Sequence, residues 1–291
     1  MRVIDSTKNM NCFKATWKYF LDKGAYLMLI SIAPSLLIPF LLSPSSTLNY
    51  LFEYKTIAPQ NFAQMFLEMR DLPFSYWYLG IIGLVLLVFA LAIMFGVIDR
   101  HMRLGEFTVS PTKVKTRLNH NLLTALRFGI TAFAALEVSN LVVTAFYYLW
   151  FVAFESRVTW LVFSSLTLIV VQFVMLALMT WLILWSPYCL HTGLSAKVAL
   201  GRALHSMSGR VTRTAFTLFT CIAPIELAMV LCGALDAGVI AQILLDVIAY
   251  VVVVPFYVTL TYIVFYDVTG TERMDLIQKK KDIWSKKIKE N

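Results

Sequence analysis

Three acids set inside long apolar stretches are the side chains in this sequence best placed to do chemistry: Glu137, Glu226 and Asp246. An ionisable group in hydrocarbon is costly, and such groups mark ion paths, proton relays or hydrogen bonds between helices. Asn140 and Thr144 share a helical face with Glu137, Gln242 precedes Asp246 by one turn, and Glu226 follows Pro224. A carboxyl in that setting can hold a proton and stay neutral. Glu137, Asn140, Glu226, Gln242 and Asp246 therefore form the candidate intramembrane polar site. Two roles stay open for it: binding a proton or cation along a path, or bonding to a neighbouring helix, which is worth about 0.6 kcal/mol per bond. Asp236 falls at a turn between two stretches and is expected in water.

Other chemistries lack their residues. The four histidines, His101, His120, His191 and His205, match no HExxH spacing, and Cys12, Cys189, Cys221 and Cys232 form no CxxC pair. The sequence holds no Walker A loop, GxSxG elbow or GxGxxG turn. No catalytic residue, metal or cofactor is expected, and the chain reads as a non-enzyme.

The elements that carry the acids are apolar and long. Of 291 residues, 59% are hydrophobic and 14% charged, against about 25% charged in a soluble domain. Spanning a bilayer as a helix takes roughly 20 apolar residues. Six stretches qualify: 25–42, 76–98, 128–154, 159–186, 214–235 and 239–266. Backbone groups in lipid must be satisfied within the chain, so such continuous runs predict helices. The expected class is all-α, a polytopic protein with six transmembrane helices, comprising a membrane domain over 1–270 and a basic tail over 271–291. A cleavable signal peptide is not expected, because the first stretch is long and no A-x-A-like site follows it in Ser43–Ser46.

Charge orients the chain. All but three of the 25 Lys and Arg residues lie in alternate segments, the exceptions being Lys55, Arg70 and Arg157. The positive-inside rule then places both termini in the cytoplasm of a cell membrane. The net charge of +8 is thus a topology signal, and nucleic acid is not an expected partner.

The basic segments are helical in pattern. Ser6–Lys23 carries Phe13, Trp17, Phe20 and Leu21 at helical spacing. Ser110-Pro111 is a cap followed by proline at the first helical position, leading to Val114, Leu118 and Leu122. Ser195 opens a third stretch with Ala199, Ala203 or Leu204, Met207 and Val211 in register. Basic residues flank each stripe, as in helices lying in a headgroup layer; cytoplasmic extensions of the spans would give the same pattern. Lys113, Arg117, Lys197, Arg202 and Arg210, with Lys279, Lys280 and Lys281 of the tail, are the expected contacts to lipid headgroups, anionic ones included. The chain reads as three copies of one unit, an amphipathic helix followed by a transmembrane hairpin. On the other side, Phe62, Met65, Phe66 and Met69 predict a short helix resting on the outer leaflet. Tyr76-Trp77-Tyr78, Trp150, Phe151 and Trp160 predict an aromatic belt.

Leu104-Gly105-Glu106 before a capped helix, Ala199-Leu200-Gly201-Arg202-Ala203-Leu204-His205-Ser206 after a proline-ended span, and Tyr266-Asp267-Val268-Thr269 at the last span carry a resemblance. They resemble bacterial inner-membrane proteins of the YciC-like group and the membrane domain that precedes some glycerophosphodiester phosphodiesterases. The resemblance implies six spans with cytoplasmic helices between hairpins. It transfers no catalytic residue, since the phosphodiesterase chemistry of that group sits in a soluble domain not found in this sequence. The expected function is a scaffold, an accessory subunit or a lipid-interacting factor in envelope upkeep, partnered by membrane lipids and by a second membrane protein or further copies of itself. The alternative is a transporter or channel for a small solute or lipid that uses the intramembrane carboxylates.

Overall fold

The computed structural model describes residues 6–53, 61–70, 76–107 and 111–277. Among these residues ten α-helices run in order: α1 (Ser6–Leu37), α2 (Pro44–Glu53), α3 (Phe62–Arg70), α4 (Trp77–Leu104), α5 (Pro111–Ala153), α6 (Arg157–Leu182), α7 (Trp185–Thr192), α8 (Ala196–Met207), α9 (Val211–Ala234) and α10 (Val239–Thr269). A short 3-10 turn, Ile38–Phe40, closes α1. Among the described residues, six segments are long and apolar enough to cross a membrane: Cys12–Phe40, Trp77–Leu104, Asn121–Ala153, Arg157–Thr192, Val211–Ala234 and Val239–Thr269. These are the six stretches read from hydropathy, extended at their ends.

The spans close into a ring. Each packs against the next in chain order, and α10 returns to α1. With an even number of crossings, the described chain starts and finishes at one end of the bundle. We call that end basal and the other distal.

Two of the amphipathic segments are extensions of spans. Ser6–Lys23 is continuous with the rest of α1, and the stretch from Pro111 is continuous with the third span in the 43-residue α5. The third is a helix of its own. α8 is separated from α9 by a turn in which Gly209 has φ +76°, a conformation that glycine adopts without steric cost. Proline sets the break between α6 and α7. Pro187 lacks an N–H and would clash with the carbonyl four residues earlier, and the helix stops at Leu182 and restarts at Trp185.

The chain forms two main cores. The basal core surrounds the second half of α10, where every residue from Val258 to Tyr266 is buried. A helix apolar on all sides belongs inside its bundle; α10 packs on α1, α9, α4 and α7, and the buried face of α8 joins the same core through α7. The distal core joins α2, α3, α5, α6 and α9 around Tyr147, Trp160, Met65 and Met69. Trp160 was expected in the aromatic belt. It is instead fully buried, with its indole N–H donating to the Tyr147 carbonyl at 3.2 Å. Tyr76, Trp77 and Tyr78 do lie exposed.

Close backbone approach fixes where α1 ends. A Cβ on Gly83 would stand 2.8 Å from the Ile38 nitrogen, and one on Gly80 would overlap the Leu41 side chain. The glycines let the first turns of α4 seat directly on the end of the first span.

Candidate functional site

The distal end gathers most of the candidate polar residues, and α2 brings them there. Ser43-Pro44 starts this helix with a cap and a first-turn proline. The Ser43 hydroxyl accepts the Ser46 N–H at 3.2 Å. The cap is completed from the far end of the sequence. Asp246 of α10 accepts the Ser45 N–H at 3.0 Å, the Ser45 hydroxyl at 2.8 Å and the Ser43 hydroxyl at 2.5 Å. A helix N-terminus presents unpaired N–H groups and a partial positive charge, so a buried carboxylate is a matched partner. Asp246 is 0% exposed. Gln242 is also buried, one turn towards the distal end.

The end of α3 is tied into the same place. The Ser43 N–H donates to the Arg70 carbonyl at 3.1 Å, and the Thr47 hydroxyl donates to the Met69 carbonyl at 3.0 Å. The guanidinium of Arg70 then reaches α5, with Nε 3.1 Å from Oε1 of Glu137. Both side chains are 22% exposed. Asn140 contributes its carbonyl, which accepts the Thr144 hydroxyl at 2.7 Å. Met65 and Met69 are buried under 2%, so α3 has one face in the core. It is packed against α5, with Phe62 edge-on to Tyr148.

Glu137 and Asp246 are therefore linked through Arg70 and Ser43. Glu226 stands apart on α9, where it accepts the Gln172 side-chain N–H of α6 at 3.2 Å. All three acids join elements that are remote in sequence.

A crevice of about 420 Å³ opens beside the Arg70–Glu137 pair. Leu41, Leu67, Trp77, Ile81, Leu84 and Phe133 wall it, and Arg70 is its one charged liner.

The basal end carries a second polar cluster that the sequence reading did not assemble. Asp99, near the end of α4, is buried and receives Nε2 of His191 at 2.8 Å, with Arg103 Nε at 3.7 Å. The His191 ring stacks on Phe265 with centroids 4.8 Å apart. His101 Nδ1 lies 2.9 Å from the Tyr19 hydroxyl. The signal was there in part: Asp99 falls at the end of an apolar run, where an acid needs a partner. Its partner lies 92 positions away, since 191 − 99 = 92, and no local pattern gives it. Among the described residues, no group of three or more His, Cys, Asp or Glu could hold a metal.

The expected headgroup contacts divide. Lys197 and Arg202 are exposed on α8. Arg210 is ion-paired with Asp267 at 3.0 Å, fastening the start of α9 to the end of α10. Lys279, Lys280 and Lys281 lie outside the described residues, as do the side chains of Lys113 and Arg117 on α5. No family model, curated protein or solved structure gives a significant match to this chain.

Proposed function

We propose that this chain is a non-enzymatic integral protein of the bacterial cytoplasmic membrane, with both termini in the cytoplasm and membrane lipids as its working partners. It would serve as a lipid-interacting factor, or as an accessory subunit beside a second membrane protein, in envelope upkeep. Membership of the YciC-like group belongs to the same proposal.

The observation that carries the reading is α8. One face, Ala199, Ala203 and Met207, is wholly buried. The small alanines allow close approach to α7, and two hydrogen bonds fix the helix there: the Trp185 indole N–H to the Ala196 carbonyl at 2.9 Å, and the Tyr188 hydroxyl with Ser206 at 2.9 Å. The opposite face mixes Lys197 and Arg202 with Val198 and Leu204, which are 50% and 41% exposed. Basic and apolar side chains displayed together on a rigid helix suit the boundary between headgroups and acyl chains. The protein partners of Glu226 and Asp246 support a helix-joining role for these two acids over a transport role.

Nitroxide labels at Val198 and Leu204 in bilayers test this. The expected result is protection from an aqueous relaxation agent and broadening by a lipid-borne one. Full accessibility from water overturns the proposal. A Glu226→Gln variant tests the transport alternative, which requires a proton-dependent or cation-dependent flux that the amide abolishes.

A further inference from the structure

The crevice at the distal end opens on the outside of the bundle. Leu67, Trp77 and Ile81 are each exposed by 45% or more, while Leu41 at its back is buried. Its volume falls in the range of about 300 to 1,000 Å³ usual for small-molecule sites. Six of its seven lining side chains are apolar, and a guanidinium completes it. An apolar slot open to the bilayer, with one fixed cation at its edge and a tryptophan of the interfacial belt at its rim, matches one class of molecule: an amphiphile with an acyl chain and an anionic head.

We propose that this crevice binds one anionic phospholipid of the distal leaflet, its acyl chain lying between α3, α4 and α5 and its phosphate on Arg70. Glu137 is the competitor for that guanidinium. Arginine meets carboxylate and phosphate through the same planar fork of N–H donors, so the two anions contend for one cation. Glu137 holds Arg70 in place when the crevice is empty, and the phosphate draws the guanidinium to itself when lipid enters. The backbone of Arg70 is anchored beside the crevice: its carbonyl accepts the Ser43 N–H. The site is independent of α8, which lies at the other end of the bundle.

Competition makes a prediction that an ion pair of purely structural value does not. If the pair only fastens α3 to α5, removing either partner has the same effect. If Arg70 is a phosphate ligand, the two removals act in opposite directions.

The full chain is reconstituted in bilayers doped with phosphatidylglycerol or phosphatidylcholine bearing a diazirine on the acyl chain, and crosslinks are mapped by mass spectrometry. Phosphatidylglycerol is expected to label the peptide containing Trp77, Ile81 and Leu84 in preference to phosphatidylcholine. Arg70→Gln should lower that labelling about tenfold, the worth of one charge-assisted contact of about 1.5 kcal/mol. Arg70→Lys should restore part of it, and Glu137→Gln should raise it. Equal labelling by the two lipids, or a shift in the same direction for Arg70→Gln and Glu137→Gln, overturns the proposal. So does a protein–protein crosslink from a photoreactive amino acid placed at Ile81, which would assign the crevice to a second copy. If Arg70→Gln does not fold, the Glu137→Gln arm decides: higher phosphatidylglycerol labelling supports the site, and unchanged or lower labelling refutes it.

Discussion

The two ends of the bundle solve the same problem with different chemistry. At the distal end a short polar helix is brought down among apolar spans, and the Ser45 N–H and the Ser43 and Ser45 hydroxyls at its start are satisfied by a carboxylate that is itself sealed from solvent. At the basal end Asp99 is buried too, against His191, but the ion pairs Arg210–Asp267 and Arg100–Glu106 sit at the margin of the core and stay partly in contact with solvent. The lesson concerns what each contact is worth. A hydrogen bond to a buried charge has no water to replace it, whereas an exposed pair trades one partner for another at little cost.

The sharpest break of this contrast is at Asp246. Asp246→Ala strands the N-terminus of α2 and should cost about 3 kcal/mol or more, since hydrogen bonds to a charged group contribute roughly 1.5–3 kcal/mol each. Unfolding in detergent micelles measures it, and Ser45→Ala added to that variant should cost little further. Gly83→Val comes next. Its Cβ would press on the Ile38 backbone, an overpacking penalty of about 1–3 kcal/mol. Gly201 on basal α8 has open space around it, and Gly201→Ala should instead stabilise by about 0.5–1 kcal/mol through helix propensity. Glu226→Leu removes the acceptor of the mid-bundle bond from Gln172, with an expected loss near 0.6 kcal/mol. Smallest is Asp267→Asn, which removes an exposed pair worth about 0–1 kcal/mol. Its effect should vanish at high salt; an effect as large as that of Asp246→Ala would erase the distinction between the two ends.

The spans were legible because hydropathy averages over many residues, and no alternative fold satisfies that much apolar backbone. α2 was not legible, because ten residues holding Ser45, Ser46, Thr47 and Asn49 look like a loop. All four are buried. A usable signal did exist in Ser43-Pro44, the same cap-and-proline pair that was read as a helix start at Ser110-Pro111. The acids were legible as anomalies, while their partners were not. Asp246 and Ser45 stand 201 positions apart, and Glu137 pairs with an arginine from a segment expected to lie on the membrane surface. Hydropathy weighs each position against solvent and carries no record of which two positions meet.

The distance between Ser45 and Asp246 along the chain also sets an order of events during synthesis. The ribosome delivers α2 early, and the carboxylate that caps it emerges 201 residues later. At about 5–20 residues per second that interval is roughly 10–40 s. Until then the start of α2 has only its local cap, the Ser43 hydroxyl on the Ser46 N–H, and the Ser45 N–H lacks its acceptor. Completion of the last span is therefore the step that draws the distal end shut.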